Sequence, residues 1–371
     1  MTEVASIQIR EVGADARLLA GFLDLPKRVY LGDALYVPAP RGEVVAALRR
    51  DGAQKALVAL SGDFVVARLI ARLVPGLRDA EGKPYGIIGY FEALAWYDEA
   101  VADLFRAATA WLRQAGAGPI VGPMDGDTWH RYRLNVGPFA DPPFLMEPYN
   151  PPYYEPLWTQ SGFAPLERYL SKRVDPGSVV AHLEGRSREA LAAGYSLRPL
   201  DPRRFQEELR TIYGLSRRIF AGNVLYTEIP EEEFLRLYAG TRSVIDPDLV
   251  LFARSPSGED VGFLFAYPDR FQAVAAMQGE RGLLAKLRFL RHRKEADAVD
   301  FKTLGVLAEH RRAGVAAALF HEGHRRTVEK GYMFANHCLF REGNPSGDLD
   351  GGAGRVMRRY VLYQWQGSPG R

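Results

Sequence analysis

The sequence runs to 371 residues with a net charge of +3, 47% apolar residues and 25% charged residues. That length suits two domains better than one core, and the composition is that of a folded globular chain. The near-neutral balance argues against a nucleic-acid binder with a basic stripe, and a single cysteine, Cys338, rules out an internal disulfide.

The opening MTEVASIQIREVG carries acids and lacks the basic-then-apolar layout of a secretion signal. No apolar run approaches the roughly 20 residues that span a bilayer. The expectation is a cytoplasmic protein without a transmembrane segment.

Ser6 to Val12 alternates as a strand, and Asp15 to Tyr30 reads as a helix ending near Gly32. Ala56 to Leu60 and Phe64 to Val74 form a hairpin about Ser61-Gly62-Asp63, and Gly86 to Leu94 is a further strand. Asp98 to Gln114 is an amphipathic helix, with Val101, Leu104, Phe105, Ala108, Trp111 and Leu112 at helical spacing. Pro119 to Met124 is a short buried strand. A Pro-rich loop runs from Pro138 to Pro152, then a short helix from Tyr153 to Gln160 and a strand from Phe163 to Val174.

The segment 175–194 is expected to join two halves, partly as helix. A second series follows: a strand at Tyr195 to Leu200, helices at Arg204 to Phe220 and Pro230 to Ala239, and a hairpin of Leu249 to Ser255 with Val261 to Tyr267. Asp297 to Leu307 is a strand, Gly314 to Lys330 a helix, Tyr332 to Phe340 a strand and Arg358 to Trp365 the last strand. The halves repeat an order of elements without repeating a sequence. Domains are expected at 1–174 and 195–371, in an α/β (or α+β) architecture.

The most informative stretch is VDFKTLGVLAEHRRAGVAAALFHEG, Val299 to Gly323. A strand ends near Val306, and Arg311, Arg312, Ala313, Gly314, Val315 and Ala316 lead into a helix. The N–H groups at a helix N-terminus are unpaired and partly positive, which suits a pyrophosphate. No Gly-Lys-Ser/Thr follows, so this is not a Walker loop.

Arg311, Gly314 and Ala316 match the Gln/Arg-x-x-Gly-x-Gly/Ala pattern of the GNAT superfamily, and the stretch resembles that family's acetyl-CoA site in its strand–loop–helix setting. The resemblance implies two tandem GNAT-like domains, each a mixed, mostly antiparallel sheet flanked by helices. It implies acyl-CoA or acetyl-CoA as co-substrate, with no metal. Asn344 and Ser346, after the next strand, fall where the family meets the pantetheine arm, and Val306 or Leu307 where a backbone N–H binds the thioester oxygen. The family's general-acid tyrosine is missing from Gly347 to Gly354. The first half resembles the same fold at Asn150 to Tyr154 and Gly162-Phe163 but has no phosphate turn, so it reads as a degenerate domain. The whole chain resembles tandem GNAT-like bacterial proteins of poorly defined substrate, through Gly122-Pro-Met-Asp-Gly126, Thr128-Trp-His-Arg-Tyr-Arg133 and Pro142-Pro-Phe-Leu-Met-Glu-Pro148.

N-acyl transfer needs a neutral amine, and a primary ammonium with a pKa near ~10 must first lose a proton. Asp300, where the family often places an acid, is the candidate base, and His337 on the neighbouring strand is the other. Asn223, Tyr226 and Glu228 in the loop between the first two helices of the second half, with Trp129 and Arg131 in the first, are candidates for binding a small-molecule amine. Arg281 to Lys294, RGLLAKLRFLRHRK, is basic with Leu283, Leu284, Leu287 and Leu290 on one helical side. It reads as a surface helix, or as a docking face for an acidic acyl carrier protein or anionic lipid.

The expected activity is transfer of an acyl group from CoA, of acetyl or longer chain, to an amine within a ternary complex. Neither Cys338 nor any Gly-x-Ser-x-Gly elbow suggests a covalent intermediate. The tandem layout also resembles peptidoglycan-bridge aminoacyl transferases and N-myristoyl transferases, and ceramide-type N-acylation is open by analogy. A non-catalytic acyl-CoA sensor is the reading of a different class.

Overall fold

The computed structural model describes residues 6–280 and 282–367. The chain forms two compact units. The first holds the described chain up to Arg168 and from Tyr360 on, with 277–280; the second holds Tyr169–Ala276 and Gly282–Arg359.

In the first unit the elements are β1 (Ile7–Glu11), α1 (Ala16–Val29), α2 (Arg41–Leu48), β2 (Gln54–Ser61), β3 (Phe64–Arg78), β4 (Pro84–Ala93), α3 (Asp98–Gln114), β5 (Ile120–Gly122), β6 (Leu134–Gly137), α4 (Tyr154–Gln160) and the start of β7 (Phe163–Val174). Strands β1 to β4 pair in sequence as antiparallel neighbours, and β5 runs parallel to β4 from Gly86↔Ile120 to Ile87↔Val121. Asp15 starts α1 by accepting the N–H groups of Arg17 and Leu18 at 2.8 and 3.1 Å. Helix α3 carries Asp98 and Glu99 in its first turn and buries Val101, Leu104, Phe105, Ala108 and Leu112. Phe105 packs with Phe91, Trp158 and Phe163 at centroid distances of 5.1, 4.8 and 5.1 Å. Gly89 is required by close approach: a Cβ there would collide with the carbonyl oxygen of Met124.

In the second unit the elements are α5 (Pro176–Ala192), β8 (Ser196–Pro199), α6 (Phe205–Phe220), α7 (Glu231–Tyr238), β9 (Val250–Arg254), β10 (Asp260–Pro268), α8 (Phe271–Ala275), α9 (Leu283–His292), β11 (Ala298–Val306), α10 (Val315–Glu329), β12 (Phe334–Arg341) and the start of β13 (Arg355–Trp365). Strands β8, β9, β10 and β11 are successive antiparallel neighbours, β12 lies parallel to β11, and the end of β7 lies antiparallel to β12. The segment 175–194 is almost wholly the helix α5. Asp175 accepts the Ser178 N–H at 2.8 Å, Pro176 occupies the first turn, and Val179, Leu183 and Ala190 are buried. Helix α5 packs along α10.

Candidate functional site

The geometry that matters in the second unit is the parting of two parallel strands. β11 and β12 pair from Ala298↔Phe334 to Phe301↔His337. Beyond that point β12 continues on β7, with Phe340↔Leu170, while β11 continues on β10 to Gly262↔Val306. Leu307 donates its N–H to Val261 O at 2.9 Å. Gly262↔Val306 is therefore a non-hydrogen-bonded pair of the antiparallel ladder, and the Val306 N–H is directed away from β10. Of the two backbone donors expected at a thioester oxygen, Leu307 is committed to the sheet, and Val306 faces the side on which β11 and β12 separate.

A 3₁₀ turn, Ala308–Ala313, connects β11 to α10. Arg311 is exposed but folds back over this turn. Its Nε donates to Val306 O at 3.1 Å and its guanidinium reaches Ile219 O at 3.5 Å. Arg312 is exposed and Ala313 half-buried. Gly314 is left-handed, with φ +75°, and a Cβ there would lie 3.1 Å from the carbonyl oxygen of Arg186 on α5. The motif glycine thus has a requirement within the fold, set by backbone conformation and by the approach of α5. No side chain caps α10. Its first internal bond runs from Ala318 N–H to Gly314 O at 3.0 Å, so the N–H groups of Val315, Ala316 and Ala317 have no partner within the helix. Val315 is buried and Ala316 half-buried. These donors suit a phosphate in number, direction and sign of charge.

Helix α6 ends beside this turn. A Cβ on Gly305 would lie 3.0 Å from Ile219 Cγ2, and Arg218 pairs with Glu309 at 2.9 Å. The loop that follows carries exposed Asn223, half-buried Tyr226 and exposed Glu228. The Asn223 carbonyl accepts the Tyr226 N–H at 3.1 Å, and Glu228 pairs with Arg217 at 2.5 Å.

The two base candidates do not share a site. Asp300 is fully buried, accepts the Asn336 amide at 2.8 Å, and lies opposite Tyr267 in the ladder. Asn336 in turn accepts from Arg173 Nε at 2.9 Å. Burial, and then the charge of Asp300, push the Tyr267 phenol far up. His337 is register partner to Phe301, whose ring stacks on His324 of α10 at 4.1 Å, so it faces the opposite side of the sheet from Asp300. Its Nε2 lies 2.9 Å from His324 Nε2, and His324 Nδ1 lies 2.7 Å from Phe320 O. A carbonyl only accepts, so His324 carries its proton on Nδ1 and His337 donates from Nε2. Burial lowers the His324 pKa to about 3. Burial, followed by the field of His324, holds His337 well below the ordinary histidine range. Both rings are neutral near pH 7, and the Nε2 of His337 is occupied as a donor.

Asn344 caps a short 3₁₀ turn, Pro345–Asp348, by accepting the Ser346 N–H at 3.2 Å. The turn is fixed from β7: Lys172 donates to Gly347 O at 2.9 Å and to Asp350 at 2.8 Å. The Asp350 side chain is 0% exposed, so this ion pair is a buried one.

The first unit contains a second polar locus, which the sequence reading anticipated only at Arg131. A small cleft is lined by Tyr30, Glu92, Asp125, Arg131, Tyr149 and Tyr154. Tyr30 and Tyr154 donate to Glu92 at 3.0 and 2.8 Å. Burial raises the Glu92 pKa, against the opposing pull of Arg68 and Arg131. Arg131 Nε binds Asp125 at 2.9 Å while 37% of its side chain remains exposed, and Asp125 also accepts the Tyr90 N–H. Trp129 is half-buried, and its N–H donates to Asp127 Oδ1 at 2.8 Å, closing a turn that also includes His130.

No family model matches the chain. The bacterial ceramide synthase of Caulobacter vibrioides is 30% identical over 195 residues, 52% of this chain and 50% of that protein, so the match spans about half the length of that relative. A tandem GNAT protein from the clavulanic acid biosynthesis pathway superposes on 99% of this chain and 100% of its own, with TM-score 0.51 and 14% identity. A probable N-acyltransferase from Enterococcus faecalis V583 superposes on 97% of this chain and 72% of its own, with TM-score 0.55 and 10% identity. The fold is that of the GNAT acetyltransferases. It is present in tandem, as a mixed and mostly antiparallel α/β structure.

Proposed function

We propose that the protein is an N-acyltransferase that moves an acyl group from a CoA thioester to an amine. The observation that carries this reading is the uncapped N-terminus of α10 directly after β11, whose last N–H, at Val306, faces the side where the parallel strands part. The N–H groups of Val315, Ala316 and Ala317 hold the pyrophosphate, with Arg312 and the turn through Ala313 and Gly314 beside it. Arg311 braces the turn through Val306 O. Asn344 and Ser346 border the pantetheine arm.

The CoA thioester supplies an activated carbonyl. The amine nitrogen forms the new C–N bond, the C–S bond breaks, and CoA leaves as the thiolate. Val306 N–H steadies the oxygen on which charge develops. The proton of the attacking nitrogen passes to water: Asp300 is fully buried and stands six residues before Val306 on β11, about 20 Å away at the rise of a strand, and His337, whose Nε2 proton is engaged by His324, lies on the opposite face. Asn223, Tyr226 and Glu228 recognise the acceptor beside the end of α6. In the first unit, Arg131 and Glu92 line a polar cleft. A CoA donor places the activity in the cytoplasm.

The half-length similarity to a bacterial ceramide synthase supports an N-acylation chemistry and a donor longer than acetyl. Native mass spectrometry of freshly purified protein is the test. A co-purified CoA thioester, whose mass gives the chain length, is the expected result. Failure to take up CoA or any acyl-CoA when these are added would overturn the reading, and uptake with no transfer to a broad panel of amines would reduce the protein to an acyl-CoA sensor.

A further inference from the structure

Surface helices of a folded domain normally turn their apolar side inward. Helix α9 does the reverse. Ala285 is buried and Phe289 half-buried on its inner side, whereas Leu283, Leu284, Leu287 and Leu290 are 78%, 68%, 56% and 49% exposed. At about 100° per residue, the four leucines fall in one arc opposite Ala285 and Phe289. Lys286 and Arg288 border that arc on its two sides, Arg291 lies within it in the last turn, and Arg293 and Lys294 follow the helix, all of them exposed. The acid that follows, Glu295, is engaged by His292 at 3.0 Å. Arg281, at the start of the basic run, lies outside the described residues.

An outward apolar ridge flanked by cations has the layering of an anionic membrane surface: acyl chains for the leucines, and headgroups above them for the lysines and arginines. The acidic surface of a carrier protein would answer the cations but would provide no apolar layer for four leucines that all point outward. We propose that α9 is an interfacial anchor, lying in the plane of an anionic lipid bilayer with its leucines below the headgroups. Joined to the acyl-transfer reading, on which this consequence alone rests, the anchor makes a substrate partitioned into lipid the expected class.

Co-sedimentation of the full chain with vesicles tests the anchor. Two compositions are used, phosphatidylcholine alone and phosphatidylcholine with one-third phosphatidylglycerol. The protein should pellet with the mixed vesicles and less so as salt is raised. Leu284→Ser/Leu287→Ser should weaken binding by about a hundredfold. Lys286→Glu/Arg288→Glu should weaken it by about tenfold or more on the anionic vesicles. The substituted side chains are exposed, so thermal melting should be unchanged, and it is measured beside each variant. Wild-type protein left in the supernatant with both compositions would overturn the anchor, as would leucine variants that bind like wild type. So would leucine-dependent binding to an acidic acyl carrier protein without binding to vesicles. The assay contains neither acyl donor nor amine, so its failure is separate from failure of the donor site, which is read by CoA binding.

Discussion

Lowering the pH from 7 to 5 should destabilise the second unit through one pair of rings. His324 and His337 are buried on the face of the sheet covered by α10, joined Nε2 to Nε2 at 2.9 Å, with the far nitrogen of His324 satisfied by Phe320 O. Burial holds His324 at about 3, from an ordinary value of 6.5, and holds His337 well below that value too. A histidine whose folded pKa is depressed gives its full stability above the unfolded pKa. It loses that stability as the pH falls below it, because the unfolded chain takes up the proton first. At pH 5 the loss is about 2 kcal/mol for His324, and His337 adds to it in the same direction. Urea unfolding at pH 7, 6 and 5, comparing wild type with His324→Leu/His337→Leu, isolates the effect, since the remaining histidines are common to both. The wild type should lose at least about 2 kcal/mol more than the variant over this range. Parallel losses would refute both the burial argument and the tautomers derived from it.

Three further outcomes follow from the geometry. Asp300→Asn, a buried change about 20 Å along β11 from Val306, should lower turnover by less than about threefold with CoA affinity intact in calorimetry, and a loss of about 10²-fold would restore Asp300 as the base. Gly314→Ala should cost about 2 kcal/mol in thermal unfolding, because it combines a left-handed backbone with a Cβ against the Arg186 carbonyl. Lys172→Met should cost about 3–5 kcal/mol by leaving Asp350 as an unpaired buried charge, and Lys172→Met/Asp350→Leu should recover most of it in the same unfolding assay.

The elements with strong periodicity were legible. Helix α3 has its six apolar positions at helical spacing, and the hairpins β2–β3 and β9–β10 turn at Gly62 and Gly258. The tandem order of elements was legible for the same reason. Helix α5 was read as a joint, although Asp175-Pro176 is a helix start and Val179 and Leu183 stand one turn apart. Its role is tertiary: it packs on α10, and it explains Gly314 as much as any ligand does. The motif Arg311 to Ala316 could be found from residue types, but the bond from Arg311 back to Val306 O and the commitment of the Leu307 N–H depend on sheet register. Asp300 and His337 stood as alternative bases on adjacent strands, and pairing of His337 with Phe301 puts them on opposite faces. Glu92 carried a readable signal, a lone acid inside the apolar run Gly86 to Ala95, whereas the tyrosines that bind it come from distant stretches of chain, Tyr30 just after α1 and Tyr154 at the start of α4.

If the start of α10 binds the phosphates of an acyl-CoA, Ala316→Asp should show it without disturbing the fold. Ala316 is half-buried in the first turn of an uncapped helix, where a carboxylate favours the helix dipole by about 0.3–1 kcal/mol but repels a pyrophosphate. Calorimetric titration with CoA, alongside thermal melting, is the measurement. Wild type should bind, and Ala316→Asp should melt at the same or a higher temperature while losing CoA affinity by about tenfold or more. A variant that binds CoA as wild type does, or a wild type that does not bind it, would mean that the phosphates sit elsewhere or nowhere on this chain.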